Sequence, residues 1–96
     1  MIITFYSESI RDIYDGLESK HARRIPQTIW KVAQRKLDML NAAHSINDLR
    51  SPPANRLESL KGNLKGKYSI RINDQYRLVF EFRDGNAYEV NIIDYH

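Results

Sequence analysis

Residues 68–96 read YSIRINDQYRLVFEFRDGNAYEVNIIDYH, and this stretch decides the fold. Apolar and polar residues alternate in it, the period-two signature of half-buried strands. Tyr68, Ile70 and Ile72 alternate with Ser69 and Arg71. Tyr76, Leu78, Phe80 and Phe82 alternate with Arg77, Val79, Glu81 and Arg83, and Tyr88, Val90 and Ile92 are expected to resume the inner face. Asn73-Asp74 and Asp84-Gly85 separate the runs; both read as hairpin turns because these residues tolerate positive φ. The stretch therefore predicts an antiparallel sheet with one apolar face, leaving Arg71 and Arg77 on the other face for a partner. The sequence closes on Asp94-Tyr95-His96, a carboxylate, a phenol and an imidazole. Strict alternation puts Asp94 and His96 on the inner parity. Bringing this end beside Arg77 then requires the strand to end, twist or bulge near Ile93.

Upstream, Ile2, Ile3 and Phe5 suggest a short strand added to the sheet. Ser7 is a plausible N-cap, and Ile10, Ile13, Tyr14 and Leu17 fall on one face of a first helix, weakened near its end by Gly16. Pro26 suits the first turn of a second helix. Ile29, Ala33, Leu37 and Leu40 form its apolar stripe, with Trp30 and Val32 at the edges. Trp30 is read as a packing residue rather than an RNA-stacking platform. Ser45-x-x-Asp48 resembles a capping box, and Ser51 to Asn55 reads as a rigid extended loop set by its prolines. Leu57 and Leu60 anchor the next run, leaving Glu58 and Lys61 to project. The expected architecture is α+β: a short strand, two helices, and an antiparallel sheet with the helices on one face.

The chain has 96 residues, the size of a single domain spanning 1–96, with 42% hydrophobic and 28% charged residues. It has no cysteine, which excludes a disulfide framework, a zinc ribbon and a thiol nucleophile. No signal peptide and no membrane-length apolar run are evident, so a cytoplasmic location is expected. The net charge of +3 is modest, but it is unevenly spread. No acid lies between Glu18 and Asp38, where Lys20, Arg23, Arg24, Lys31, Arg35 and Lys36 are basic. From Arg50 to Arg77 there are seven cations against two acids. Clustered cations are the electrostatic footprint of a nucleic-acid binder, and equally of a solvated basic surface; charge alone leaves both readings open.

No metal-binding motif, phosphate loop or serine-hydrolase elbow is present, so neither metal nor cofactor is expected. His21 and His44 read as surface residues. What remains is a set of cations, one terminal imidazole, a tyrosine and a few acids. That inventory fits metal-free RNA cleavage, which needs a base for the 2′-OH, an acid for the leaving oxygen and cations for the phosphate. On residue types alone, the terminal Asp-Tyr-His reads more simply as a frayed strand end.

Three segments carry a resemblance: Pro52-Pro53-x-Asn55-Arg56-Leu57-Glu58-x-Leu60-Lys61-Gly62, the run from Tyr68 to Arg77, and Ile93-Asp94-Tyr95-His96. In these the chain resembles the HigB group of the RelE/ParE toxin superfamily, over essentially its whole length. The resemblance implies a RelE-like fold. It also implies a toxin of a type II toxin–antitoxin pair, a ribosome-dependent endoribonuclease leaving a 2′,3′-cyclic phosphate. The implied partners are a helix-turn-helix, HigA-like antitoxin, the ribosome and mRNA. Carried over by position, His96 is the first choice for proton transfer, Tyr95 stacks on or orients a base, and Asp94 positions the imidazole or the nucleophile. Lys61 would contact the phosphate and Arg77 would steady it, with Arg71, Arg56, Lys65 and Lys67 docking RNA. Some relatives carry histidine three residues before the lysine; here the position is Glu58. A carboxylate is a candidate base, and a surface ion pair with Arg56 or Lys61 is its plainer role. Two rival functions on the same fold are a ParE-like gyrase inhibitor and a non-catalytic RNA-binding module.

Overall fold

A computed structural model describes residues 1–94, and Tyr95 and His96 lie outside the described residues. Two helices, α1 (Glu8–Tyr14) and α2 (Trp30–Ala42), precede four strands. These are β1 (Glu58–Ser59), β2 (Lys67–Arg71), β3 (Tyr76–Arg83) and β4 (Asn86–Asp94). The strands pair antiparallel in the order β1-β2-β3-β4. The α+β expectation holds, with one addition: Glu58 and Ser59 form a fourth, two-residue strand against Ser69 and Tyr68. A strand this short has no periodicity to read.

The helices bury their apolar stripes against one sheet face. Ile10 and Ile13 of α1 join Ala33, Leu37 and Leu40 of α2, Ile70, Leu78 and Phe80 of the sheet, and Ile29 just ahead of α2. Fully burying a side chain such as Leu37 or Phe80 is worth about 1.5–3 kcal/mol relative to exposure. Trp30 packs at the stripe's edge, and its indole N–H donates to the Ile25 carbonyl at 2.9 Å, which confirms the packing role. Leu17 departs from expectation and is 53% exposed. Gly16, at φ 76°, ends α1 instead of merely weakening it. The Gly16 N–H donates to the Ile13 carbonyl and the Leu17 N–H to the Asp12 carbonyl, a Schellman closure that turns Leu17 away from the core.

The final sheet follows the alternation until β4. Val79 faces Asn91 while Glu81 faces Tyr88, so β4 carries one extra residue between them. That residue is Glu89, in the left-handed region at φ 51°. The bulge reverses the parity of everything before it. Ala87, fully buried, takes the inner place expected of Tyr88. Tyr88 moves to the outer face, where the Arg83 guanidinium lies 4.1 Å from its ring centroid. Among the described residues β4 pairs regularly through Ile93 to Asp94, opposite Tyr76, and its bulge sits at Glu89, four residues before Ile93.

Two further local expectations change. Asn73 and Asp74 do not take positive φ. The turn is wider, and the Asn73 carboxamide oxygen accepts the Gln75 and Tyr76 N–H groups at 2.9 and 2.7 Å. The N-terminal segment pairs with β4 as two isolated parallel bridges, Ile2 with Ala87 and Phe5 with Val90, instead of a continuous strand. Thr4 Oγ1 accepts the Glu89 N–H at 2.8 Å, so this segment supports the bulge directly.

Candidate active site

The outer face of the sheet is less open than its sequence suggests. Arg77 is 6% exposed and Ser69 is fully buried. Cross-strand register explains how they meet: Arg77 pairs with Arg71, and Val79 with Ser69, so Arg77 and Ser69 are diagonal neighbours on one face. Arg77 Nε donates to Ser69 Oγ at 2.8 Å, and Nη2 to the Arg56 carbonyl at 2.5 Å. These two oxygens help to orient the planar guanidinium. Arg56 supplies its carbonyl from the left-handed conformation, φ 44°, which closes the Pro53–Asn55 turn. The expectation that Arg77 stands free on an open face is thus corrected: it is a held cation.

The loop that presents Arg56 is itself anchored. Ser51 to Asn55 is not simply extended, because Pro53–Asn55 forms a 3₁₀ turn. Asn55 is fully buried; its amide donates to the Leu49 carbonyl at 3.2 Å, and its oxygen accepts from the Lys36 ammonium of α2. Burial first, and then the positive charges of Arg35 and Arg71, hold Lys36 below the usual lysine range. At the preceding turn the Asp48 carboxylate accepts the His44 and Ser45 N–H groups, and these bonds lower its pKa. The capping box is thus formed.

Glu58 is exposed and pairs with Ser69, on the same face and next to the residue that holds Arg77. It forms no ion pair with Arg56 or Lys61 among the described residues; Arg71 and Asp74 form the ion pair there. Lys61 is exposed, just past Leu60, whose N–H donates to the Lys67 carbonyl at 2.9 Å. Lys65 is exposed in the turn before β2, and Lys67 is half-buried at the start of that strand. Arg71 lies across the strand pair from Arg77, and Ile93 lies on its far side. Asp94 is exposed at the end of β4 and accepts a hydrogen bond from Gln75 at 3.1 Å. Register therefore gathers Glu58, Arg71 and Arg77 on one face, where the Arg56 carbonyl meets Arg77, and leads β4 past Arg77 to Asp94. The roles read onto Tyr95 and His96 lie outside the described residues. Sequence reasoning missed Ser69 and Asn55; a serine between half-buried Tyr68 and buried Ile70 marks the site only once its register with Arg77 is known.

The fold is that of RelE-like toxins. The YoeB toxin in its complex with YefM from Staphylococcus aureus superposes with a TM-score of 0.61 at 24% identity, covering 100% of this chain and 98% of that one. The S. aureus YoeB dimer gives a TM-score of 0.59 at 25% identity, covering 99% and 94%. In sequence, residues 4–96 match the family model described as the RelE-like toxin of type II toxin–antitoxin system HigB. Toxin HigB-1 of Vibrio cholerae is 46% identical over 87 residues, covering 91% of this chain and 90% of that protein. Endoribonuclease HigB of Proteus vulgaris is 34% identical over 61 residues, 64% of this chain and 65% of that protein. The chain belongs to the HigB family of type II toxin–antitoxin toxins.

Proposed function

We propose that this chain is a ribosome-dependent endoribonuclease that cleaves mRNA without a metal. The 2′-oxygen of one nucleotide attacks the adjacent phosphorus, the bond from phosphorus to the 5′-oxygen breaks, and a 2′,3′-cyclic phosphate remains. A base removes the 2′-OH proton and an acid protonates the departing 5′-oxygen. The observation that carries this reading is Arg77: a guanidinium fixed by Ser69 and the Arg56 carbonyl, beside the strand that leads to Asp94-Tyr95-His96. A preorganised cation of this kind stabilises charge developing on phosphate without reorganising during the reaction. The Proteus relative carries the name endoribonuclease, which accords with the reading.

In this proposal Lys61 contacts the phosphate and His96 transfers protons. Asp94 positions the imidazole or the nucleophile, and Tyr95 stacks on or orients a base. Glu58, unpaired with any cation among the described residues and on the Arg77 face, is the candidate general base. Arg56, Arg71, Lys65 and Lys67 line the approach of RNA. The protein acts in the cytoplasm on translating ribosomes, and its neutralising partner is a helix-turn-helix antitoxin of the HigA type.

The test is expression without antitoxin, with RNA ends mapped during growth arrest. Cuts within translated codons are expected. They should vanish in His96→Ala and fall by about 10²–10³ in rate in Lys61→Ala, the scale for losing one preorganised contact to the transition state. Growth arrest with intact mRNA and inhibited gyrase would overturn the proposal in favour of the gyrase-directed reading.

A further inference from the structure

A cleft of about 380 Å³ opens at the side of the sheet, between α2 and the loop at Pro52. It exists because β1 is only two residues long and pairs no further along β2 than Ser69. Beyond that point β1 does not cover the edge of β2 at Arg71. The cleft is lined by three cations, Arg35, Lys36 and Arg71, alongside apolar Val32, Met39 and Ile72. No acid lines it. Cations gathered in a partly dry cleft repel one another and favour an anion. Burial first, and then the charges of Arg35 and Arg71, lower the pKa of Lys36, in keeping with that repulsion. The neighbouring acid, Asp74, pairs with Arg71 from outside, but its side chain is 98% exposed, so it is a weak competitor.

We propose that this cleft is a second RNA subsite: Arg35, Lys36 and Arg71 take the phosphate next to the one held at Arg77, and Val32, Met39 and Ile72 pack against its nucleoside. The proposal rests on the reading of the chain as an RNA-cleaving toxin. Position favours RNA over an acidic peptide. Arg71 and Arg77 are directly paired across β2 and β3 and share a face, so the cleft and the held cation lie along one track. Two of the three cations are arginines, whose planar forks suit phosphate oxygens. The volume is that of a small-ligand pocket, room for one nucleoside rather than a helix.

The experiment uses the purified full-length protein and fluorescent 2′-O-methyl oligoribonucleotides of increasing length, which bind but are not cut. Wild type is expected to gain affinity when one nucleotide is added beyond the shortest bound unit. Arg35→Gln and Arg71→Gln should each lose that gain, about tenfold, the worth of a charge-assisted hydrogen bond. Arg23→Gln, an exposed cation away from the cleft, should match wild type. Asp74→Asn should bind the longer oligonucleotide more tightly, since it releases Arg71. Loss of affinity equal at every length, no loss in either arginine variant, or no binding by wild type would overturn the subsite. So would variants that bind RNA normally yet lose affinity for the antitoxin, which would assign the cleft to that partner. Failure of the cleavage reading is seen separately: mRNA would stay intact during arrest while length-dependent binding persisted.

Discussion

At the scale of single residues, the proposed chemistry turns on one buried arginine, and two of its hydrogen-bond acceptors are oxygens that no motif marks. Ser69 Oγ accepts from Arg77 Nε in a place closed to water. Removing that oxygen takes one hydrogen bond from a buried charged donor, which costs about 1–3 kcal/mol. Ser69→Ala should therefore lower stability by that amount in urea unfolding. It should also weaken toxicity more than an equally destabilising substitution on the helical side, because it releases the guanidinium as well. Unchanged toxicity at matched stability would separate Ser69 from the site. Arg77→Lys makes the complementary case: charge is kept, but a point ammonium cannot reach Ser69 and the Arg56 carbonyl together. Its cleavage should fall at least tenfold while the fold survives, read by mapped RNA ends beside a circular-dichroism melt.

At the scale of elements, the sequence carries the sheet and helices well, because their periodicities report burial directly. The stripe Ile29, Ala33, Leu37 and Leu40 is buried as spaced, and Leu78 and Phe80 sit in the core as alternation requires. What alternation cannot report is a change of phase. Glu89 has no glycine signature, yet it takes φ 51° and reverses the parity of Tyr88 and Ala87. Its support comes from Thr4, a residue 85 positions away, so no local reading finds it. The site was legible to the same extent: the cations are evident, but their convergence depends on register and on Asn55, which ties the loop to α2. A left-handed residue of this kind tests the bulge. Glu89→Gly should change stability by less than about 1 kcal/mol, strain relief offsetting backbone entropy, whereas branched Glu89→Val should cost about 1–3 kcal/mol. Equal stabilities would mean that the bulge is not fixed there. Asp48 offers a second element-scale test. Its folded pKa lies below the ordinary 3.8, so its capping contribution is present above that value and is lost as pH falls through the lower, folded one. The stability gap between wild type and Asp48→Asn should hold across neutral pH and close in acid.

At the scale of the whole molecule, the first residues and the last strand are one construction. The Ile3 N–H donates to the Ala87 carbonyl and the Tyr6 N–H to the Val90 carbonyl; in return the Ala87 and Val90 N–H groups donate to Met1 and Thr4. Ile2 and Phe5 pack on the core, and Phe5 lies 5.7 Å from Tyr14 of α1. The site itself lies on the opposite side of β4, toward β3 and β2. Removing residues 1–6 therefore deletes no group assigned to RNA, yet it strips the edge of β4 and the Thr4 bond that holds the bulge. Four backbone hydrogen bonds at about 0.5–1.5 kcal/mol each, with two half-buried side chains, amount to roughly 4–8 kcal/mol. That is comparable with the whole stability of a small domain, about 5–15 kcal/mol. The truncated chain should unfold at far lower urea and lose toxicity, while Ile3→Thr, at an exposed position of the same segment, should leave both nearly unchanged. Retention of the wild-type urea midpoint by the truncated chain would show that β4 holds its bulge, and hence its approach to Arg77, without the N-terminal segment.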